Sequence, residues 1–154
     1  MPTADWVLLS YRLPREPSTP RIAMWRKLRG LGVGKLGDGL VALPLDARTR
    51  EQFDWIADEI EQAGGDAGVW IARPGSAAQE RDLVAAMRET IVGEYRDLIE
   101  EAAGAAETPS KRTLGKLRRG LRKVKRRDYF PPPERERAEV AVEAVAAALH
   151  GVPA

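Results

Sequence analysis

The chain has 154 residues, of which 25 are Lys or Arg and 23 are Asp or Glu, giving a formal net charge of +2. This length fits one domain or a small domain with an appendage, and the 44% hydrophobic content predicts a folded protein. The absence of cysteine excludes disulfides, thiolate metal sites and a cysteine nucleophile. The apolar runs are too short to span a bilayer, and no basic segment precedes the first of them. We therefore expect neither a membrane span nor a signal peptide. The expected location is the cytoplasm.

The positive charge is concentrated in residues 111–127, with the sequence KRTLGKLRRGLRKVKRR. These seventeen residues contain ten Lys or Arg side chains and no carboxylate, whereas 15 basic and 23 acidic residues lie outside them. An acidic body that carries one basic segment orients in the field of a polyanion better than an even mixture of the same net charge. The segment therefore indicates an anionic partner more strongly than the net charge does.

The first half of the chain predicts alternating strands and helices. Residues 6–13 are rich in β-favouring side chains and are followed by Pro14, which predicts a buried strand. Residues 21–31 then predict an amphipathic helix that lies on a sheet. Its apolar stripe consists of Ile22, Trp25, Leu28 and Leu31.

Residues 33–45 predict a β-hairpin, because two short β-like runs flank the turn composition Gly37-Asp38-Gly39. Asp46 is suited to cap the next helix, which ends at Gly64-Gly65, and residues 66–73 return to strand character. The resulting β-α-β-β-α-β order is that of a ferredoxin-like domain. We therefore predict the α+β class, with a ferredoxin-like domain at residues 5–73.

Residues 76–150 predict a C-terminal extension of three helices. The first has about six or seven turns, and the stretch EAAGAAETPS after it predicts a weakly structured linker. Thr108 and Pro109 are suited to the N-cap and first turn of a basic helix at residues 109–128. Beyond a triplet of prolines, residues 134–149 predict an alanine-rich third helix.

The basic helix has a single narrow apolar seam, formed by Leu114, Leu117, Leu121 and Val124. Like charges one turn apart destabilise a helix, so a polyanion or acidic neighbouring helices must offset their repulsion. We expect the basic side chains to contact DNA phosphates, while the residues that read bases stay unassigned. The predicted nucleic-acid-binding residues are Arg112, Lys116, Arg118, Arg119, Arg122, Lys123, Lys125, Arg126 and Arg127.

Two alternative roles for the basic helix stay open. Acidic residues at positions 80–101 and 134–143 are able to neutralise it internally, or it docks an acidic partner as part of a protein-interaction module. A membrane-surface helix is disfavoured, because the seam is narrow and lacks aromatic anchors.

The four tryptophans fall on the predicted strands and helices of the first half of the chain. Indoles spread over one small layer are more typical of a core or a dimer interface than of base stacking, so we expect a homodimer. They are Trp6, Trp25, Trp55 and Trp70.

The sequence contains no specific catalytic or metal-binding motif. His150 is its single histidine, and no second His or Cys completes a metal site with it. HExxH, P-loop and GxSxG patterns are absent. We therefore expect a protein that is not an enzyme and that needs neither a cofactor nor a metal.

Four stretches carry a family resemblance: WVLLSYRLPREPSTPRIAMWRKLRGLGVGKLGDGLVALP, REQFDWIADEIEQAGGDAGVW, EYRDLIEE and KRRDYFPPPERERAEVAVEA. Their more specific marks are Trp25, the Arg-Asp-Tyr-Phe element at residues 127–130, and the loop pattern Leu-Pro-x-x-Pro-Ser-x-x-Arg. In that loop the fixed positions are Leu13, Pro14, Pro17, Ser18 and Arg21. Over nearly the whole chain the sequence resembles the N-terminal domain of the ChrB family, bacterial regulators of chromate resistance.

The resemblance implies a DNA-binding transcriptional regulator associated with chromate efflux operons. Members commonly carry a second, C-terminal domain linked to the chromate response. We therefore assign no effector to these residues, which also lack a thiol that chromate could oxidise.

More distantly, the first strand and helix resemble PaaX-type repressors and CRISPR-associated ferredoxin-fold nucleases. Such nucleases hold a metal with an aspartate at the end of the first strand. The corresponding residues 10–13 are Ser-Tyr-Arg-Leu, without a carboxylate, which disfavours a metal-dependent nuclease.

Overall fold

The computed structural model describes residues 3–151, within which it contains four strands and five helices. The predicted combination of helices with a β-sheet is confirmed. In chain order the elements are β1 (Trp6–Arg12), α1 (Thr19–Leu31), β2 (Gly34–Gly37), β3 (Leu40–Pro44), α2 (Ala47–Gln62), β4 (Asp66–Ala72), α3 (Ala77–Glu107), α4 (Lys111–Arg126) and α5 (Glu134–Leu149).

The four strands form one antiparallel sheet in the order β2-β3-β1-β4. The first strand is central, with Leu9 opposite Val41 on one side and Val69 on the other. Val7, Leu9 and Val41 are buried, because alternate side chains of these strands point to the same face of the sheet. This alternation places the core of the first half of the chain against one face.

The predicted stripe of α1 is only partly right. Leu28 is buried, but its buried partner is Met24, while Ile22 is 57% exposed and Trp25 is half-buried. The predicted stripe advances in steps of three residues, which drift by about 60° per step around the helix, so Ile22 and Trp25 turn away from the face that Met24 and Leu28 share. The packing of α1 therefore leaves these two side chains outside the core.

The turn and cap between β2 and α2 are formed as predicted. Gly39 has a φ of 72°, and a Cβ atom there would clash with the carbonyl oxygen of Tyr11, so only glycine fits. Asp46 accepts a hydrogen bond of 2.7 Å from the backbone N–H of Thr49, and the Thr49 hydroxyl accepts one from the Asp46 backbone N–H. This reciprocal pair starts α2.

Helix α3 is longer than predicted, because the stretch predicted as a weak linker continues it to Glu107. At 31 residues it has about eight and a half turns. Alanine has the highest helix propensity, and Ala102 is 1% exposed in the core, so both local preference and packing favour the extension. The linker prediction was wrong because Gly104 was given more weight than the alanines on either side of it.

The chain divides into two compact units, the first through residue 87 and the second from residue 88. The division falls inside α3. The predicted limits of 5–73 and 76–150 stay a prediction. The core of the second unit consists of buried side chains from the later part of α3, from α4 and from α5.

Candidate nucleic-acid interface

The basic helix α4 begins at Lys111 and ends at Arg126, inside the predicted range of 109–128. Its N-cap is Ser110, whose Oγ accepts a hydrogen bond of 3.1 Å from the backbone N–H of Thr113. The prediction of Thr108 as the N-cap was wrong. Both residues are suited to capping, but only Ser110 lies directly before the first helical turn.

The predicted apolar seam is the buried face of α4. Leu114, Leu117 and Val124 are buried, and Leu121 is partly buried against the same core cluster. The cluster also contains residues of α3 and α5, so the seam fixes the rotation of α4 about its own axis. The opposite face of the helix must then carry the basic side chains.

Six of the nine predicted binding residues are exposed and unpaired. Within residues 3–151, none of their side-chain nitrogens lies within 4.0 Å of a carboxylate oxygen. They are Arg112, Lys116, Arg119, Arg122, Lys123 and Arg126.

Five of these six lie along one line on the helix, which we call the outer stripe: Arg112, Lys116, Arg119, Lys123 and Arg126. Their spacing of four, three, four and three residues keeps them on one face, opposite the seam. At a rise of about 1.5 Å per residue, the stripe extends over about 21 Å. Such a row presents closely spaced positive charges to solvent, and no carboxylate of the described residues pairs with them.

The other three predicted residues form ion pairs within the second unit. Arg118 Nη2 lies 3.7 Å from Glu143 Oε1, and Lys125 Nζ lies 3.5 Å from Glu139 Oε1, both on α5. Each of these side chains is at least one-third exposed, so solvent screening leaves the pairs worth little, about 0–1 kcal/mol. Arg118 and Lys125 flank the seam on the side that faces α5.

Arg127 makes the strongest of the three pairs. Its Nε and Nη2 atoms donate to the two carboxylate oxygens of Glu94 at 3.1 and 2.5 Å, and its Nη1 donates to the Lys123 carbonyl oxygen at 3.1 Å. The side chain is 19% exposed. A bidentate pair with this geometry holds the guanidinium in place, so Arg127 joins the end of α4 to α3.

A buried polar group lies next to this pair. The Tyr95 hydroxyl donates a hydrogen bond of 2.7 Å to Asp128 Oδ2, and Arg135 Nη1 lies 3.8 Å from the same oxygen. Burial, the hydrogen bond and the charge of Asp128 raise the pKa of Tyr95, against a smaller opposing effect of Arg135. The hydroxyl therefore stays protonated and continues to donate to the carboxylate.

The Tyr95–Asp128 interaction was not predicted from the sequence. Tyr95 lies at helical spacing from the apolar residues Ile91 and Leu98, and nothing in that spacing marks its hydroxyl as bonded. In the sequence, the Arg-Asp-Tyr-Phe element is only a mark of family resemblance. The side chains of its first two residues, Arg127 and Asp128, attach the end of α4 to α3.

The four tryptophans are in different environments. Trp6 is 3% exposed and Trp25 is half-buried, whereas Trp55 and Trp70 are 67% and 59% exposed. The indole N–H of Trp70 donates to the Ser10 hydroxyl at 2.8 Å. Trp6 thus lies in the core and the other three do not, and the predicted homodimer interface stays a prediction.

Two further properties concern residues 3–151. No helix in this range is long and apolar enough to cross a membrane. In the same range, no group of three or more His, Cys, Asp or Glu side chains is placed so that it could hold a metal ion.

Comparison with known proteins shows what the chain is similar to. The sequence model of the family described as Protein ChrB, N-terminal, matches residues 21–108, more than half of the chain. Protein ChrB of Cupriavidus metallidurans, strain CH34, is 27% identical over 146 residues, which are 90% of this chain and 44% of that relative. The chain therefore spans less than half of the relative's length. No solved structure is significantly similar.

Proposed function

Because the chain belongs to the family described as Protein ChrB, N-terminal, we propose that it is a DNA-binding transcriptional regulator of the chromate-resistance type and not an enzyme. The family match ends at residue 108, before α4 begins at Lys111. The family relation therefore supports the regulatory role, and the charge arrangement of α4 supports the DNA contact.

The observation that carries the proposal is the outer stripe of α4. Its five cations are exposed and, within the described residues, have no carboxylate partner, although α3 and α5 contain many acidic side chains. Like charges at a spacing of three and four residues destabilise an isolated helix. Phosphates of a nucleic acid would remove that repulsion and release counterions when they bind.

The nine basic residues have different tasks in this proposal. The outer stripe contacts phosphates, and Arg122 lies beside it. Arg118, Lys125 and Arg127 hold α4 against its neighbours through their ion pairs with Glu143, Glu139 and Glu94. Phosphate contacts supply affinity and its salt dependence but carry no sequence information by themselves.

The first unit is proposed to be a ferredoxin-like domain that mediates homodimerisation. The β-α-β-β-α-β chain order and the strand order β2-β3-β1-β4 support the fold assignment. The exposed indoles of Trp55 and Trp70 are available for a subunit interface. Sedimentation velocity tests the dimer, and a monomer at all concentrations would contradict it.

Fluorescence anisotropy with labelled DNA tests the proposed function. The probe is the DNA upstream of the gene's own operon, compared with unrelated DNA of equal length at several salt concentrations. We expect tighter binding to the upstream DNA, with an affinity that falls steeply as salt rises. Replacing all five residues of the outer stripe by Gln should flatten the slope of log K against log salt by about 0.9 per lost contact.

A matched control variant removes five other exposed cations and so has the same net charge. It carries Gln in place of Arg26, Arg29, Arg81, Arg96 and Arg137. This control should keep the affinity and slope of the parent protein. Equal losses in the two variants would show a response to net charge alone, and no DNA binding at low salt would refute the proposal.

A second candidate function is supported by the three internal ion pairs. They show that α4 accepts carboxylates, so an acidic protein surface could bind the outer stripe in the same way. A protein whose outer stripe binds an acidic protein surface should not bind the upstream DNA more tightly than unrelated DNA. The anisotropy experiment therefore separates the two candidates.

A further inference from the structure

The first unit contains a large open cleft that the proposed DNA contact does not use. Its volume is about 1130 Å³, and it is bordered by the end of β1, the loop that follows, the first half of α1 and the β2–β3 turn. All of its lining residues lie between positions 11 and 39. The cleft is therefore built from one contiguous part of the chain.

Positive charge converges on this cleft from separate segments. Arg12 ends β1, Arg15 lies in the loop, Arg21 is in the first turn of α1 and Lys35 is on β2. Asp38 is the one carboxylate in the lining, and its Oδ1 lies 3.4 Å from Lys35 Nζ. Among the described residues, no carboxylate lies within 4.0 Å of the three arginines. The cleft thus has an excess of unpaired guanidinium groups.

One wall of the cleft is apolar and aromatic. Ile22 and Trp25, which the packing of α1 leaves outside the core, form part of it. Lys35 Nζ lies 5.3 Å from the centroid of the Trp25 ring, so a cation–π contact holds the indole in position. The exposed apolar side chains that the fold does not use therefore lie next to the unpaired arginines.

Two hydroxyl groups add hydrogen-bond donors. Burial and the charge of Asp38 raise the pKa of Tyr11, against an opposing effect of Arg21, so its hydroxyl stays protonated. Ser18 is the N-cap of α1, but its side chain makes no capping hydrogen bond. The amide groups of the 13-residue helix α1 begin at the same place and favour negative charge.

We propose that this cleft binds a phosphorylated small molecule of about nucleotide size, with its phosphates on the arginines and its organic part against Ile22 and Trp25. Guanidinium groups match phosphate oxygens in bidentate geometry. The volume is slightly above the usual range of small-molecule sites, about 300–1,000 Å³, which are typically concave with apolar walls and few polar groups. The outer stripe of α4, in contrast, is an exposed row on one helix.

Most of the residues in the first half of the sequence that carry the family resemblance lie in the same cleft. Of the six marks in the first half of the sequence, five line it: Leu13, Pro14, Ser18, Arg21 and Trp25. Neither the sheet core nor the proposed DNA contact accounts for Arg21. A ligand site in the first unit gives these residues a common task that goes beyond the proposed DNA binding.

Isothermal titration calorimetry with ADP, inorganic pyrophosphate and adenosine tests the proposal on the full chain. ADP supplies phosphates and a ring system, pyrophosphate supplies the phosphates alone, and adenosine supplies the ring without charge. We expect ADP to bind more tightly than pyrophosphate, and adenosine to bind more weakly than either. Absence of binding by both ADP and pyrophosphate at millimolar concentration would overturn the proposal.

Variants locate the binding. The double variant Arg12→Gln, Arg21→Gln should weaken ADP binding at least tenfold, and Trp25→Ala should weaken ADP but not pyrophosphate. The matched control Arg26→Gln, Arg29→Gln removes two exposed cations of α1 outside the lining and should bind like the parent protein. Thermal unfolding checks that each variant is folded.

The five-residue Gln variant of the outer stripe separates this site from α4. It should lose DNA binding and keep ADP binding. Loss of ADP binding in that variant, with retention in the Arg12, Arg21 variant, would place the phosphates on α4 and refute the cleft. If the Arg12, Arg21 variant instead lost DNA affinity while ADP and pyrophosphate failed to bind, the cleft would be a nucleic-acid surface.

Discussion

The hydroxyl of Tyr95 on α3 donates to the carboxylate of Asp128, which follows α4, across 33 positions of sequence. Tyr95 is fully buried, and the Asp128 side chain is 1% exposed. Together with the Arg127–Glu94 pair one residue earlier, this hydrogen bond fixes the C-terminal end of the basic helix. The placement of the proposed DNA contact therefore depends on groups that do not themselves touch DNA.

Replacing Tyr95 with Phe should lower the free energy of unfolding by about 1–3 kcal/mol, because the buried Asp128 side chain would lose a hydrogen-bond donor. Urea denaturation followed by circular dichroism measures the change. Tyr11→Phe is the matched control, since the Tyr11 hydroxyl makes no hydrogen bond to another described residue. Equal stability of the parent and the Tyr95 variant would show that the hydrogen bond contributes nothing.

The same hydrogen bond predicts that the stability of the protein decreases at alkaline pH. The pKa of Tyr95 is raised above its ordinary value of 10.0, so the folded state retains a proton that the unfolded state releases. Its contribution to stability is complete below pH 10 and is lost as the pH rises from 10 towards the raised pKa. Urea midpoints measured from pH 8 to pH 11 should fall more steeply for the parent protein than for Tyr95→Phe. Parallel curves would contradict this assignment.

Arg127 and Arg112 should respond to substitution in opposite ways. Arg127→Gln removes the bidentate partner of Glu94 in a partly buried site and should destabilise the protein by about 1–3 kcal/mol. Arg112→Gln should leave stability within about 0.5 kcal/mol but weaken DNA binding and reduce its salt slope by about 0.9. Urea denaturation measures the stability of both variants, and fluorescence anisotropy measures their DNA binding. An unchanged salt slope in Arg112→Gln would show that Arg112 does not contact DNA.

Leu117→Ala tests the buried seam of α4. Leu117 is 1% exposed in the core of the second unit, and truncating a fully buried leucine costs about 2–5 kcal/mol. Lys116→Ala, one position earlier on the exposed face, should change stability by less than about 0.5 kcal/mol. Thermal and urea unfolding measure both. A small effect of Leu117→Ala would mean that the seam does not hold α4 in the core.

Local sequence features correctly predicted several turns, caps and buried helix faces of this protein. The hairpin glycines, the Asp46 cap and the apolar spacing of α4 each depend on a few neighbouring residues, and each matched the structure. Errors arose where two local signals competed. Thr108 and Ser110 are both suited to capping, and Gly104 and the alanines on either side of it favour different structures.

Tertiary structure decided what could not be read from local patterns. In sequence, the nine predicted cations at positions 112–127 are equivalent members of one charge run. The structure pairs Arg127 with Glu94, a residue 33 positions away, and leaves Arg112 and its stripe to solvent. It also turns Trp25 from the predicted core towards a cleft lined by arginines. Helix periodicity states which residues share a face, but only the packing of distant segments determines which faces are neutralised, buried or left open.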